Sequence, residues 1–137
     1  THLSPLESKE AMIIPKEQFQ YPKKNSYLKL ELKSNGEIIS SKNIFFLPFK
    51  DLNISKPEID YEWKINEAEK KITITVKSKT FAKSIFISTS SKSNLNKNFF
   101  DLGPQEQKTV SLEIQKDEKI NEVVKSIKIY DVWSAFN

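Results

Sequence analysis

The stretch NFFDLGPQEQKTVSLEI, residues 98–114, combines an aromatic pair, a turn and a strand. In its second half Val110, Leu112 and Ile114 alternate with polar residues. This period of two is typical of a β-strand that buries one face and exposes the other. The stretch therefore predicts a turn that leads into a half-buried strand.

The residues before this strand predict how it is entered. Phe99 and Phe100 are adjacent, so an extended chain points them to opposite faces, one into the core and one towards a neighbouring element. Asp101 is expected to accept hydrogen bonds from backbone N–H groups ahead of the turn. Pro104 suits the second position of a β-turn, and Gln105 after it, in place of glycine, favours type I over type II.

The same alternation recurs along most of the chain. The predicted strands cover residues 26–33, 38–49, 58–64, 71–77, 82–89, 108–114 and 126–133. Asn35 and Gly36 suit the tight turn of a hairpin between the first two, and only residues 117–124 look helical. Many short strands separated by turn signals predict an all-β fold, an antiparallel immunoglobulin-like β-sandwich without the cysteine pair of antibody domains.

Parity along the strands predicts which side chains face the core. Inward positions are expected for Ile72, Ile74 and Val76, and for Tyr61 and Trp63, which share the parity of Ile59. Leu28, Leu30 and Leu32 define the apolar face of the hairpin. Residues 88–98 are polar without a periodic face and predict a long, mobile loop.

A change from apolar to charged composition near Ser55, just before Lys56 and Pro57, predicts a module boundary. We expect residues 1–55 to be the C-terminal part of a preceding β-sandwich domain with its linker. Residues 56–137 are expected to form the complete terminal sandwich domain.

Composition excludes several classes of function. The 22 basic residues alternate with 18 acidic ones, which predicts a solvated surface and no nucleic-acid partner, although the net charge is +4. No apolar run approaches the roughly 20 residues of a membrane span. The first residues lack a signal-peptide core, so the compartment stays open.

No catalytic, cofactor or metal site is predicted. The chain has no cysteine, two glycines and a single histidine, His2, which excludes thiolate sites, a phosphate-cradling loop and paired imidazole ligands. The acidic residues mostly take outward positions on strands or lie in polar connections. We therefore expect no hydrolysis by this chain alone and no cofactor.

Carbohydrate binding through exposed aromatic rings is the remaining site-like hypothesis. Tyr61 and Trp63 are expected in the core. Trp133 is the candidate for an outside contact, because Asp131 interrupts the inward parity that Ile127 and Ile129 establish.

Two motifs carry a resemblance to a known family. Phe81, Ala82 and Lys83 before an apolar strand, then Asn98 to Leu102, Pro104, Glu106, Thr109 and Val110, resemble the C-terminal immunoglobulin-like domain of the β-mannosidases of glycoside hydrolase family 2. Gln105 stands where that family has a glycine. Residues 44–57 resemble the connection between the last two sandwich domains of the family.

The resemblance implies a role. In these enzymes, which remove β-linked mannose from non-reducing ends, the catalytic glutamates lie on a (β/α)₈ barrel upstream of both sandwich domains, outside this segment. The chain would be the non-catalytic C-terminal portion, an architectural domain whose partners are the barrel and the other sandwich domains. A secreted or periplasmic parent would be expected. The alternatives are a carbohydrate-binding module that contacts a glycan, and an independent adhesion-type sandwich.

A further partner is expected from the hairpin. An isolated two-stranded hairpin is marginal in water, and its edges can pair with another chain. We expect a homodimer through residues 26–47.

Overall fold

The computed structural model describes Ser8, Glu10 and residues 12–136, so His2 lies outside the described residues. The chain divides into two compact units, Thr1–Asn53 and Ile54–Asn137.

The first unit contains a two-stranded antiparallel sheet formed by β1 (Tyr27–Ser34) and β2 (Glu37–Phe45). Asn35 and Gly36 both have positive φ, 50° and 84°, as a two-residue primed hairpin turn requires, so this prediction is confirmed. The face of the leucines was predicted to be half-buried, but Leu30 and Leu32 are exposed. Only its Leu28 end, which pairs with Ile44, is partly covered.

The second unit is an antiparallel β-sandwich, as predicted. Its strands are β3 (Ile59–Asn66), β4 (Lys71–Ser78), β5 (Ala82–Ser88), β6 (Phe100–Leu102), β7 (Gln107–Glu113) and, after helix α1 (Ile120–Ser126), β8 (Lys128–Tyr130). The strand order is β3-β4-β7 in sheet I and β6-β5-β8 in sheet II. Helix α2 (Val132–Phe136) follows β8.

The core lies between the two sheets. Sheet I contributes the alternating rows of β4 and β7, which pair in register, Ile74 opposite Val110 and Ile72 opposite Leu112. Sheet II contributes Ala82, Ile85, Ile87, Phe100 and Leu102, and the α1 segment adds Val123 and Ile127. The inward positions predicted for β4 and β7 are confirmed, since all of them are buried.

One strand departs from the parity prediction. Tyr61 and Trp63 pair with Val76 and Ile74, so they lie on the core side of sheet I, yet both rings are 43% exposed. The prediction that they pack in the core is wrong because β3 is an edge strand that sheet II does not cover. Parity indicates the side of a sheet, and the reach of the elements packed on that side decides whether it is buried: β7 is also an edge strand, yet its Val110 and Leu112 are buried.

The end of the chain also differs from the prediction. A strand was expected over residues 126–133, but β8 ends at Tyr130 and Trp133 lies in α2. Asp131 causes the change: its Oδ1 accepts hydrogen bonds from the backbone N–H of Trp133 (2.7 Å) and of Ser134 (3.2 Å). Ser134 Oγ accepts one from the Asp131 N–H in return. This reciprocal pattern is a capping box, which starts a helix.

Candidate functional site

Asn98 positions the aromatic pair at the start of β6. Its side-chain amide bonds both backbone groups of Ile87: the Ile87 N–H donates to Oδ1 and Nδ2 donates to the Ile87 carbonyl, each at 2.9 Å. The Asn98 side chain thus makes the two hydrogen bonds to Ile87 that the backbone of a neighbouring strand residue would otherwise make. Phe99 follows with φ +55°, a left-handed conformation that a bulky residue rarely adopts.

This turn of the backbone separates the two phenylalanines. Phe100 is buried and pairs with Ile85 on the core side of sheet II. Phe99 is 69% exposed, and its ring stacks on Phe86 with centroids 4.8 Å apart and planes 21° apart. The prediction that one ring fills the core while the other meets a neighbouring element is confirmed.

A third ring extends the stack. Tyr130 of β8 is the cross-strand partner of Phe86, and their ring planes are 24° apart with centroids at 6.3 Å. Phe99, Phe86 and Tyr130 therefore form a row of nearly parallel rings on the outer face of sheet II, here called the aromatic strip.

Polar groups border the aromatic strip along both strands. Towards the start of β5, Asp101 accepts a hydrogen bond from the Ser84 N–H at 2.9 Å and pairs with the Lys83 ammonium at 2.8 Å. Beyond Phe86, Ser88 lies opposite Lys128. Asp101 accepts this backbone hydrogen bond from β5, the strand that pairs with β6. The lysine and the aspartate of the two sequence motifs thus meet as an ion pair.

The aromatic strip is not among the sequence predictions, although period two points two of its three rings away from the core. Ile85 and Ile87 face inward, so Phe86 between them must face outward, and Tyr130 has the same relation to Ile129. The alternation that predicts the buried residues of β5 and β8 thus also predicts that Phe86 and Tyr130 lie on the outer face.

Trp133, the candidate from the sequence, is half-buried. The ammonium of Lys56 lies over its ring, 5.5 Å from the centroid. A cation in that position is attracted by the ring face and covers it. The structure does not bring Trp133 into the aromatic strip, and its ring is less available for stacking than that of Phe99.

The β3 stripe, Tyr61, Trp63 and Ile65, is a second exposed apolar surface. The rings of Tyr61 and Trp63 contact each other with centroids 5.8 Å apart. Both lie on the core side of β3, an edge strand in which Asp60 to Asn66 are all exposed. The stripe continues the core row of β4 but is only partly covered within the second unit.

The long polar loop is held in place by Glu118. Its carboxylate accepts hydrogen bonds from the N–H groups of Lys92 (2.7 Å) and Gln115 (2.8 Å) and from the Ser91 hydroxyl. The hydrogen bonds from the Gln115 and Lys92 amides lower the pKa of Glu118. Asn96 adds a two-way bond to the backbone of Ser111. The predicted loop is confirmed, but it is anchored at several points.

Other kinds of site are not assembled in the part of the chain that the structure describes. No group of three or more histidine, cysteine or acidic side chains could hold a metal ion. Within the same residues, no helix is long and apolar enough to cross a membrane.

Comparison with known proteins identifies the fold family. The family model Ig_mannosidase, described as an Ig-fold domain, matches residues 54–135, more than half of the chain. No curated protein matches the chain. The matched range covers both sheets, the aromatic strip and the β3 stripe, and it confirms the resemblance that the Phe-Ala-Lys and Asn-Phe-Phe-Asp-Leu motifs carried. The chain therefore belongs to the Ig_mannosidase family of Ig-fold domains.

Proposed function

We propose that this chain is the non-catalytic C-terminal portion of a β-mannosidase-like glycoside hydrolase, and that its Ig-fold unit is an architectural domain. The uncovered β3 stripe is the observation that carries this proposal. Membership of the Ig_mannosidase family supports a β-mannosidase-like parent, and the stripe gives the domain an apolar surface with which to pack against another part of that parent.

The β3 stripe has the character of an unfinished core. Tyr61, Trp63 and Ile65 lie opposite Val76, Ile74 and Ile72, three residues that are fully buried. Aromatic side chains contribute large apolar areas to interfaces. Tyr61 and Trp63 are each more than a third exposed, so covering them with a partner would stabilise the contact by burying further apolar surface. A neighbouring domain laid over β3 would complete the burial that sheet II begins.

The edge of β3 supports the same role. Strand β3 is at the end of the order β3-β4-β7, so its outer backbone edge can accept a further strand or a loop from a partner. Asp60, Glu62 and Lys64, on the opposite side of the strand from the stripe, keep that side solvated. The surface offered to a partner is therefore the core side and the edge together.

The preceding unit fits this interpretation. Residues 1–55 would be the last part of the penultimate sandwich domain, and its two-stranded sheet would pair with the remaining strands of that domain. The barrel and the other sandwich domains would then be the partners of both units. No carboxylate pair for hydrolysis is needed in this chain on that interpretation.

The first test is genetic and the second is biochemical. The reading frame upstream should encode a family 2 barrel; an isolated start codon directly before this segment would contradict the parentage. In the parent enzyme, Trp63→Lys should lower the temperature at which activity is lost, because it puts a charge into the domain contact.

Trp63→Lys in the chain by itself also removes a ring that is partly covered and contacts Tyr61, so the change in melting temperature of the chain alone is the reference, and the parent enzyme should lose more than that. Glu67→Lys, a matched change in the β3–β4 turn, should leave the parent enzyme unaffected. Equal heat inactivation of the Trp63→Lys and unchanged parents would show that the β3 stripe does not support the enzyme.

A further inference from the structure

We propose that the outer edge of β3 pairs with the same edge of a second copy of this chain, antiparallel across a twofold axis at Trp63. This goes beyond the proposed function, because it concerns a contact between molecules through the backbone edge and the outer face of the strand. Three observations carry it: the open state of this edge, the direction of its backbone groups and the order of its charges.

Strand β3 differs from the other outer strands of the sandwich, which are shortened or covered as natural sheet edges usually are. Strands β6 and β8 have three residues each. The polar loop covers the outer edge of β7, where Asn96 donates its N–H to the Ser111 carbonyl (3.0 Å) and its Oδ1 accepts from the Ser111 N–H (2.8 Å). Strand β3 pairs with β4 over its eight residues without a register shift, and no other described strand pairs with its outer side.

The backbone groups of β3 point alternately towards β4 and away from it. The Lys79 N–H donates to the Glu58 carbonyl at 3.0 Å, just before the paired residues of the two strands. In an antiparallel ladder every second residue bonds to the partner strand, so even-numbered residues of β3 bond to β4. The residues whose N–H and carbonyl groups point to the open edge are therefore Tyr61, Trp63 and Ile65.

The charges on the outer face of β3 select one register for the pairing. With the twofold axis at Trp63, Glu62 of each copy lies opposite Lys64 of the other. An axis one residue earlier or later would set Glu62 against Glu62 or Lys64 against Lys64. An axis at Tyr61 would set Glu62 against Asp60. Opposite charges directly across an antiparallel pair are favourable and like charges are unfavourable, so β3 is complementary to itself about Trp63.

The side chains on both faces are available for this contact. The Glu62 side chain is 59% exposed, and its Oε1 lies 3.5 Å from the Lys77 ammonium, so the carboxylate can accept from a second lysine; Lys64 is exposed. On the core side, Trp63 would meet Trp63 of the second copy, and Tyr61 would meet Ile65. Cross-strand aromatic pairs stabilise a sheet, and the two β3 stripes would lie side by side.

The test follows the backbone amide chemical shifts of the full chain as its concentration rises to about 2 mM, above the expected Kd of about 0.1–1 mM for so small a contact. All chains carry Leu30→Lys, which adds a charge to the apolar face of the hairpin, so that association through residues 26–47 does not contribute. The amides that point to the open edge, those of Tyr61, Trp63 and Ile65, should shift most.

An exchange of charges tests the register. Glu62→Lys and Lys64→Glu should each self-associate at least about fivefold more weakly, because each sets two pairs of like charges opposite each other. A mixture of these two variants should associate as tightly as the chain with both charges unaltered, because each copy then faces the opposite charge. The double variant Glu62→Lys/Lys64→Glu is the matched control and should also regain the association.

Three results would overturn the proposal. They are amide shifts of β3 that do not depend on concentration up to about 2 mM; single variants that associate as the unaltered edge does; and a mixture that associates no more tightly than either variant alone. None of them bears on the heat inactivation expected for Trp63→Lys in the parent enzyme, because Glu62 and Lys64 lie on the opposite side of the strand from the β3 stripe.

Discussion

At the scale of single residues, Gln105 shows how a local preference can be overruled. Its φ is +62°, and the Glu106 N–H donates to the Gly103 carbonyl at 3.1 Å. A positive φ at the third position with Pro104 at the second is a type II turn, so the type I prediction is wrong. Two further hydrogen bonds hold the turn: within it, the Glu106 carboxylate accepts from the Gly103 N–H, and outside it, the Glu106 carbonyl accepts from the Ser78 N–H of β4.

Gln105→Gly should therefore stabilise the domain. Glycine removes the left-handed penalty, which exceeds the roughly 0.5–1 kcal/mol that its greater freedom in the unfolded chain costs. The expected net gain is about 0.5 kcal/mol in a urea unfolding series. Gln105→Ala is the control, because it removes the side-chain bond to Lys79 but keeps the strain. A glycine variant no more stable than the alanine variant would contradict this account.

The buried row of β4 gives a second prediction at this scale. Ile74 is fully buried and pairs with both Trp63 and Val110, so Ile74→Ala should cost about 2–5 kcal/mol through lost burial and a cavity. Thr73→Ala, on the outer side of the same strand, should cost far less. Thermal melting of the two variants measures the difference, and equal Tm values would mean that the faces of β4 are reversed.

Sequence patterns predict such residues well where the inner side of a strand is fully covered. The alternation of β4, which is central, and of β7, which is an edge strand, indicated each buried residue correctly, because the inward rows of both strands are buried in the core. Tyr61 and Trp63 show the limit, since their exposure depends on how far sheet II extends. The place of Phe99 in the aromatic strip depends on its left-handed backbone conformation, which the residue types do not predict.

At the scale of elements, capping decides where strands end and loops settle. The predicted positions of β8 and of the helix at residues 117–124 are nearly correct. The predicted strand continues past Asp131 because the residues on either side of it, up to Trp133, are mostly apolar. The capping box of Asp131 and Ser134 shows that Asp131 ends the strand and begins a helix. The polar loop at residues 88–98 has no periodic pattern, so its anchoring could only be seen in three dimensions.

The anchor at Glu118 predicts a pH dependence. Hydrogen bonds from backbone amides hold its pKa below the ordinary value of 4.5, so its stabilising effect is present above that pH. The effect is lost as the pH falls through the lowered pKa, because the carboxylate is then protonated in both states. Glu118→Gln should be less stable than the parent chain near neutral pH, and the difference should shrink in acid.

Urea midpoints at about pH 6 and pH 3, on either side of the ordinary glutamate range, measure that difference. Amide exchange at Lys92 and Gln115 should accelerate in Glu118→Gln at the higher pH. Glu122→Gln, an exposed change on α1, serves as the control. A stability difference that is the same at both pH values would show that the Glu118 charge does not hold the loop.

At the scale of the whole molecule, the chain joins a sandwich with a central core to a unit with a two-stranded sheet. A two-stranded hairpin is marginal by itself in water, and the leucines at the middle and end of β1 are not covered within the first unit. Under the proposed function, the rest of the penultimate domain would supply the cover. Without that domain, a second copy can, since a twofold pair satisfies both faces with one self-complementary surface.

We therefore predict that this chain self-associates through residues 26–47. Leu30→Lys places a second charge beside its cross-strand partner Lys42 on the leucine face, where burial of two like charges against a second copy would be costly. It should shift the chain towards monomer in sedimentation velocity at tens of micromolar, a range in which weak dimers populate. Ser41→Lys, on the other face of the hairpin opposite Glu31, should leave the distribution unchanged. If the unaltered chain is monomeric at those concentrations while the amides of residues 26–47 are protected from exchange, the leucine face is covered within one molecule and the dimer does not form.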